Sequence, residues 1–396
     1  MSGHRTVALA LAIAGLAMVF MVAAWRLVTP LAPEPLTMAV GEALGGPTAG
    51  FERALLPRPF VFPADHGPHS GFRTEWWYYT GNLETADGRH FGFQLTFFRI
   101  ALAPTMVSRA SAWASREAYM AHFALTNTGG GRFSAAGRLS RAALGLAGAQ
   151  AQPFRVWVEN WSAEGVGGDA IPLRLRAAEG DVAIDLTLSA ATPVVLHGDR
   201  GLDKKGPEPG NASYYYSLTR MPAAGRVTVG GDAFDVKGLA WMDREWSTSS
   251  LGSDLVGWDW MAIQLADGRD LMLYRLRRAD GSADRLSSGS LVHADGGSRH
   301  LGLEDFRIEV LDTWSSPRGA ARYPSRWRVT LPSEGLDLEV VPRLADQELA
   351  LAVRYWEGAV RVTGRSSRGP LAGAGYVELV GYASPPDGAR PIARRR

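Results

Sequence analysis

Residues 91–97 read Phe91-Gly92-Phe93-Gln94-Leu95-Thr96-Phe97. Large apolar side chains alternate here with small or polar ones, which is typical of a β-strand, because successive side chains point to opposite faces. The same alternation returns at residues 155–158, 184–188, 326–329 and 336–340. Asp-Gly pairs, which favour hairpin turns, occur at residues 87–88, 267–268 and 280–281. This pattern predicts an all-β protein.

An internal repeat indicates two related β-domains. The segment from Trp76-Trp77-Tyr78 to Phe91-Gly92-Phe93 aligns with the segment from Trp258-Asp259-Trp260 to Leu271-Met272-Leu273. Both copies read as strand, turn and strand with tryptophan at the start, so duplication of a β-barrel module is the simplest account. Two unrelated hairpins are the alternative. We therefore predict tandem barrels at residues 51–222 and 226–386, after a linker at residues 29–50.

The first 28 residues predict export. His4 and Arg5 precede an apolar run from Val7 to Trp25, which is about long enough to cross a bilayer as a helix. A cleaved signal peptide and a membrane anchor both remain open, because Val22-Ala23-Ala24 offers a cleavage site whereas Arg26 favours an uncleaved anchor. The expected location is the periplasm or the outer face of the cytoplasmic membrane.

Composition excludes several functional classes. At 396 residues the chain is too long for one ordinary core. It has no cysteine, which rules out disulfides, thiolate metal sites and cysteine nucleophiles. A formal net charge of +2 gives no indication of nucleic-acid binding. Neither a phosphate-binding loop nor a dinucleotide fingerprint occurs, so we expect no cofactor.

The first candidate site surrounds Glu75. In strand register Glu75 and Trp77 share one face, and Trp76 and Tyr78 share the other. A glutamate that faces into a barrel of aromatic rings is desolvated, which would raise its pKa and make it a proton donor. The alternative is a structural glutamate, which caps backbone amides or pairs with Arg73 or Arg99.

Two histidines, His66 and His69, lie just upstream beside Asp65. Their loop is rich in glycine and proline, which gives no helical geometry to enforce metal chelation, and no further His-Cys cluster completes a shell. We therefore expect no metal, and either hydrogen bonding at the barrel mouth or a histidine proton relay.

The second candidate site is Trp241-Met242-Asp243-Arg244-Glu245-Trp246. In strand register Trp241, Asp243 and Glu245 face together, and Arg244 faces away. Neighbouring carboxylates raise one another's pKa, which can keep a carboxylic acid protonated for acid catalysis. We assign Asp243, Glu245 and Glu75 as candidate catalytic residues. A salt-bridged turn that closes the second barrel is the alternative.

Aromatic and polar residues near these sites are candidates for ligand binding. They are Trp76, Trp77, Tyr78, Gln94, Tyr214, Tyr216, Trp241, Trp246, Trp258, Trp260, Tyr274, Tyr355, Trp356 and Tyr376. Glu357 and Glu378 bring two more carboxylates into aromatic surroundings late in the chain.

Four motifs in order carry a family resemblance: Asp65-His66-Gly67 through Glu75-Trp76-Trp77-Tyr78 to Arg99, then Trp241 to Ser247, Tyr355 to Gly358, and Gly375 to Tyr382. From about Phe60 to Tyr382 the sequence resembles the AttH-like predicted secreted hydrolases, which are grouped with carotenoid 1,2-hydratases. The resemblance implies two lipocalin-like (calycin) β-barrel domains and an apolar ligand.

The resemblance also implies a chemistry. In the hydratases the essential acid is an aspartate in an aromatic-x-Asp motif followed by tryptophan, which matches Trp241, Asp243 and Trp246. Their upstream His-x-Trp pair is absent, because the matching region reads Tyr214-Tyr215-Tyr216-Ser217. This departure puts a carotenoid substrate in doubt. No Gly-x-Ser-x-Gly elbow supports a serine hydrolase.

Two functions follow as hypotheses. The first is a hydratase-like lyase that adds water to a double bond of an isoprenoid or lipid, with Asp243 as the acid and Trp241, Trp246 and Trp258 as an aromatic cage. The second is a non-catalytic extracytoplasmic lipid-binding protein, held at the membrane by the N-terminal helix and working with a membrane transporter. Glycoside cleavage fits the residue types but not the resemblance.

Overall fold

The computed structural model describes residues 47–105, 111–248, 252 and 254–383. The predicted signal peptide or membrane anchor at residues 1–28, and almost all of the linker, lie outside the described residues. Within them there is no helix of the length and apolar character needed to span a membrane. Two short 3₁₀ helices occur at Ala64–His66 and Pro332–Glu334.

The first β-sheet is built from thirteen strands of the described chain. They are β1 (Thr74–Glu84), β2 (His90–Ala101), β3 (Glu117–Asn127), β4 (Arg132–Arg141), β5 (Ala147–Gln150), β6 (Arg155–Val158), β7 (Trp161–Gly165), β8 (Leu173–Glu179), β9 (Val182–Leu188), β10 (Val195–Leu196), β11 (Leu202–Lys204), β12 (Ala212–Val229) and β13 (Asp232–Ser247). The order is β4-β3-β2-β1-β13-β12-β9-β8-β7-β6-β5, with β10 and β11 on β12. Strand β3 contacts β5 and β6, and β4 contacts β6, so the sheet curls into a barrel.

The second β-sheet contains ten strands of the described chain. They are β14 (Leu255–Leu265), β15 (Asp270–Arg278), β16 (Ser288–Val292), β17 (Ser298–Gly302), β18 (Arg307–Ser315), β19 (Arg322–Leu331), β20 (Leu336–Pro342), β21 (Glu348–Ala350), β22 (Arg354–Ser366) and β23 (Gly369–Leu379). The order is β17-β16-β15-β14-β23-β22-β20-β19-β18, with β21 on β22.

The two sheets share one strand order. Hairpin β1–β2 lies between β13 and β3, just as hairpin β14–β15 lies between β23 and β16. The Asp-Gly turns of both hairpins have left-handed glycines, with φ of 82° at Gly88 and 89° at Gly268. The all-β fold of two tandem lipocalin-like barrels is therefore confirmed, and the sequence repeat coincides with equivalent hairpins.

The change from one sheet to the other falls later than the boundary predicted at residues 222–226. That boundary lies inside β12, which runs from Ala212 to Val229 and pairs with β13 from Ser213 to Val229, with one register shift between Leu218 and Met221. Strand β13 also pairs with β1, so the first sheet extends to Ser247. Pro222 and Gly225 suggested a domain boundary because Pro and Gly often end strands, whereas here they occupy paired strand positions.

Each sheet has its own apolar core, and a third layer joins them. The first core includes Trp77 and Trp246, and the second includes Trp327 and Trp356. Between the sheets, hydrogen bonds link backbone and side chains of both, as where Asn82 Nδ2 donates to the carbonyl of Gly375 at 3.0 Å. This layer holds the candidate site.

Candidate functional site between the two sheets

Asp243 lies in the layer between the sheets. Strand β1 pairs with β13, and Tyr78 lies opposite Asp243 in that register. Both point away from the first core, and the Tyr78 hydroxyl reaches Glu357 Oε2 of β22 at 2.9 Å. As predicted, Trp241 shares the face of Asp243, and Arg244 points the other way, where its guanidinium lies 3.8 Å from the ring centre of Trp77.

An aromatic cluster surrounds Asp243, and we call it the inter-sheet cluster. Its buried members are Tyr78, Tyr215, Trp241, Trp260, Ala262, Met272, Tyr274, Leu276, Ala359 and Tyr376, and its partly exposed members are Trp76, Leu255, Trp258 and Leu286. The Trp260 ring lies edge-on to Tyr78 at 5.1 Å and to Trp241 at 6.3 Å. Edge-to-face contacts of this kind are favourable for aromatic rings. The partly exposed members mark where the cluster meets solvent.

Three donors hold the Asp243 carboxyl group. Trp241 Nε1 donates to Oδ1 at 2.6 Å, Tyr215 donates to Oδ2 at 2.5 Å, and the Ser217 hydroxyl donates to Oδ1. A carboxylate has about four lone-pair sites, so one site on Oδ2 remains for a proton. Burial raises the pKa of Asp243 to about 7, although the three hydrogen bonds oppose the shift. The group is thus poised to donate a proton near neutral pH.

Two further carboxyl groups enter from the second sheet. Glu357 and Glu378 lie opposite each other on β22 and β23. Burial raises the pKa of Glu378 to about 7, with Asp243 and Glu245 adding to the shift and the hydrogen bond from Trp258 opposing it. Burial, followed by the charge of Glu378, raises the pKa of Glu357 well above its usual range. Several acids that compete for protons therefore share one largely buried layer.

Glu245 belongs to a separate group of charges at one side of this layer. Lys205 lies 2.6 Å from Asp203 and 3.5 Å from Glu245. Burial opposes the charge of Lys205, but the carboxylates of Asp203 and Glu245 raise its pKa well above the usual value. Burial raises the pKa of Glu245, and Lys205 opposes that rise. Glu245 is therefore held by an ammonium group, unlike Asp243, which has no cationic partner among the described residues.

Sequence reasoning missed two donors of Asp243 and a histidine behind them. Tyr215 and Ser217 alternate with Tyr214 and Tyr216, so applying the period of two to β12 would have identified them. His197 Nε2 lies 2.6 Å from the Ser217 hydroxyl, and its Nδ1 lies 2.8 Å from that of Ser290. Burial lowers the pKa of His197 to about 3, so the ring is neutral. No sequence signal marked this isolated histidine.

The raised pKa predicted for Glu75 is wrong, and the ion-pair alternative holds. Glu75 is fully buried and pairs with Arg99 and with Arg244 Nη2, the latter at 2.6 Å. Burial alone would raise the pKa of Glu75, but the two guanidinium groups hold it well below its usual range. Glu75 is an ionised structural carboxylate and cannot serve as a proton donor at neutral pH.

The two upstream histidines hydrogen-bond as predicted, in the first barrel. His69 lies 3.0 Å from Asp65 Oδ1 and 3.2 Å from Glu75 Oε2. His66 Nδ1 lies 2.6 Å from the Tyr216 hydroxyl, and both residues line a narrow cavity. This cavity also contacts Arg244, on the face of β13 opposite to Asp243. Among the described residues no group of three or more His, Asp or Glu side chains could hold a metal ion.

Several predicted ligand-binding residues lie away from Asp243. Trp77, Tyr214, Tyr216 and Trp246 belong to the first core, and Trp356 belongs to the second. Trp246 follows Asp243 by three positions, so the strand turns its ring to the opposite face, where it stacks on His69 at 3.6 Å. The predicted cage must therefore exclude Trp246.

The remaining predicted residues lie in or beside the inter-sheet layer. The Tyr274 hydroxyl donates to Asp203 Oδ1 at 2.9 Å, and Tyr376 is a buried member of the cluster. Tyr355 hydrogen-bonds His122 at 2.7 Å in a neighbouring cluster that also contacts Trp258. Gln94 is fully buried and donates to Thr96.

Comparison with known proteins identifies the family. A family profile described as AttH-like matches residues 53–382. The chain belongs to the AttH-like family. One similar solved structure is the crystal structure of an AttH protein from Nitrosomonas europaea, whose sequence is 34% identical to that of this AttH-like chain. The match covers 84% of this chain and 100% of the Nitrosomonas chain, with a TM-score of 0.75.

A more distant structure shares the fold of this AttH-like chain. The sequence of kievitone hydratase from Nectria haematococca is 17% identical to that of this chain. The match covers 85% of this chain and 98% of the hydratase chain, with a TM-score of 0.63. At this identity the likeness concerns the fold alone. No curated protein matched the sequence.

Proposed function

We propose that this protein is a hydratase-like lyase that adds water to a carbon–carbon double bond of an isoprenoid or lipid ligand, with Asp243 as the proton donor. The observation that carries the proposal is a carboxyl group with a pKa near 7, without a cationic partner among the described residues, inside a cluster of indole and phenol rings. A protein of the same fold is named a hydratase, which is in keeping with this chemistry.

The reaction needs three contributions from the chain. Asp243 transfers its proton to one alkene carbon, and the electron pair of the double bond forms the new C–H bond. The rings of Trp241, Trp260 and Tyr78 stabilise the resulting carbocation, each cation–π contact contributing about 0.5–2 kcal/mol. Water then bonds to the cationic carbon, and its surplus proton returns to the Asp243 carboxylate. The sum is one alkene plus one water giving one alcohol.

The test is incorporation of oxygen from water. The full chain, in detergent, is incubated in heavy-oxygen water with a lipid extract of the producing host and with a panel of isoprenoid alkenes. We expect a product heavier than its precursor by one labelled water. The contrary outcome is that ligands co-purify with the protein and are released unmodified, and that neither the extract nor the panel gives a labelled product. This outcome would support the alternative, a non-catalytic extracytoplasmic lipid-binding protein that is anchored to the membrane and works with a membrane transporter.

The rate of labelled water addition should fall as pH rises above about 7. Only protonated Asp243 donates, and burial raises its pKa to about 7, so each further pH unit should lower the rate about tenfold. Ser217→Ala removes a hydrogen bond that lowers this pKa, so its profile should shift to higher pH. A stopped assay across this pH range measures both. A profile unmoved by Ser217→Ala would assign the titration to another group, such as Glu378.

A further inference from the structure

The wall of the inter-sheet cluster opposite Asp243 contains two buried polar atoms without a partner among the described residues: Oε1 of Glu357 and the hydroxyl of Tyr376. Their side chains are 0% and 1% exposed. A buried polar atom without a hydrogen bond costs free energy, so native proteins rarely leave one without a reason. Two of them lie in one aromatic cluster, where a polar group of a ligand would satisfy both.

The two atoms lie on one face of the second sheet. Glu357 and Tyr376 are on the adjacent strands β22 and β23, where Ala359 pairs with Tyr376 and Glu357 pairs with Glu378. Glu357 and Tyr376 are therefore diagonal neighbours on a common face, a separation of about 7–8 Å. The other oxygen of Glu357 accepts from Tyr78, which fixes the orientation of the carboxyl group and leaves Oε1 open.

This wall lies within reach of Asp243. Tyr78 is the direct cross-strand neighbour of Asp243, and its hydroxyl extends to Glu357. Trp260 contacts a neighbour of each group, because it packs edge-on against Tyr78, which binds Glu357, and donates at 3.1 Å to the hydroxyl of Tyr215, which binds Asp243. In a ligand whose double bond lies at Asp243, a polar group about the length of one tyrosine side chain from that double bond would reach Glu357 and Tyr376.

We propose that Glu357 and Tyr376 form a subsite for a hydroxyl group of the ligand, so that the substrate class is a hydroxylated isoprenoid, such as a terpenoid alcohol. A hydroxyl group both donates and accepts, so it satisfies both atoms at once. A hydrocarbon leaves both unsatisfied, and sites built to bind a hydroxyl strongly reject analogues that lack it. The inference rests on the proposed function for its reacting double bond, but its test measures binding alone.

The probes are geraniol and its methyl ether, which share one skeleton and the same double bonds. Equilibrium dialysis of the full chain in detergent, with a detergent-only blank to subtract partitioning, gives both dissociation constants. We expect wild type to bind geraniol at least about tenfold more tightly than the ether, because the alcohol can accept a hydrogen bond from one of the two groups and donate one to the other, whereas the ether can only accept. Tyr376→Phe should bring the ratio of the two constants close to one.

Tyr79→Phe is the matched control. Tyr79 is also a fully buried tyrosine whose hydroxyl has no partner within the described chain, but it belongs to the first core. Each substitution removes only an unbonded hydroxyl, so both variants should fold, and their urea unfolding midpoints verify this. Equal affinity of wild type for the two probes, binding of neither, or an equal loss of preference in Tyr79→Phe overturns the proposal.

The two proposals fail separately. A preference for geraniol that depends on Tyr376, with no labelled water addition by the protein, supports the subsite and removes the hydratase function. Labelled water addition with equal affinity for geraniol and its ether removes the subsite and leaves the hydratase function.

Discussion

Asp243→Asn should lower the rate of labelled water addition by at least about 10²-fold, and up to about 10⁴-fold, which is the usual contribution of a general acid. The amide is nearly the same shape and can still accept the hydrogen bonds of Trp241 and Ser217 at Oδ1. Ligand binding should therefore persist. The measurement compares turnover in heavy-oxygen water with ligand retention in the same preparation.

Asp270→Asn is the control for this substitution. Asp270 is a buried aspartate whose pKa burial raises to about 6. Unlike Asp243 it pairs with an arginine, Arg220, and it also accepts from a hydroxyl, that of Thr219 at 2.8 Å. It lies outside the inter-sheet cluster. Its variant should keep its turnover. Undiminished water addition by Asp243→Asn would show that another group supplies the proton.

Stability distinguishes a catalytic loss from a folding defect in Asp243→Asn. Because burial raises the pKa of Asp243 to about 7, the native state keeps a proton that the unfolded chain releases near pH 4. The stability contributed by this group is full below about pH 4 and is lost as pH rises through 7. The amide does not titrate. At pH 8 the variant should therefore unfold at a urea concentration equal to or above that of wild type.

Glu75→Gln should destabilise the fold by about 3–5 kcal/mol, because it leaves two buried guanidinium groups without their shared carboxylate. The side chains of Glu75, Arg99 and Arg244 are all 0% exposed, so water cannot replace the lost partner. Urea unfolding followed by tryptophan fluorescence gives the free energy of unfolding. The pKa of Glu75 is lowered, so the difference from wild type should shrink as pH falls below about 4, where the unfolded glutamate is protonated.

Glu339→Gln provides the comparison for Glu75→Gln. Glu339 pairs with Arg326 at 2.9 Å, but this ion pair is solvent-exposed, and exposed pairs contribute little to stability. Its variant should unfold much as wild type does. If Glu75→Gln kept wild-type stability and lost only water addition, the proton-donor hypothesis from the sequence would be restored.

Much of the fold and part of the site could be predicted from local patterns. Alternation at residues 91–97 and the Asp-Gly turns gave strands and hairpins, because both depend on neighbours within a few residues. The repeat around Trp76 and Trp258 indicated the duplication. The period of two also placed Trp241 and Asp243 on one face and Arg244 on the other. Applied to Trp246, three positions after Asp243, the same rule gives the opposite face, so the predicted place of Trp246 in the aromatic cage was wrong.

The sequence by itself determined which residues share a strand face, since the backbone fixes that alternation. Only the tertiary structure decided what covers each face and therefore which charges are paired. Glu75 is ionised because Arg244, distant by 169 positions, meets it in the first barrel. Asp243 retains its proton near neutral pH because the second sheet covers it with Trp260 and Glu378 and excludes water. Desolvation and ion pairing depend on partners that are remote in sequence, and local periodicity carries no information about them.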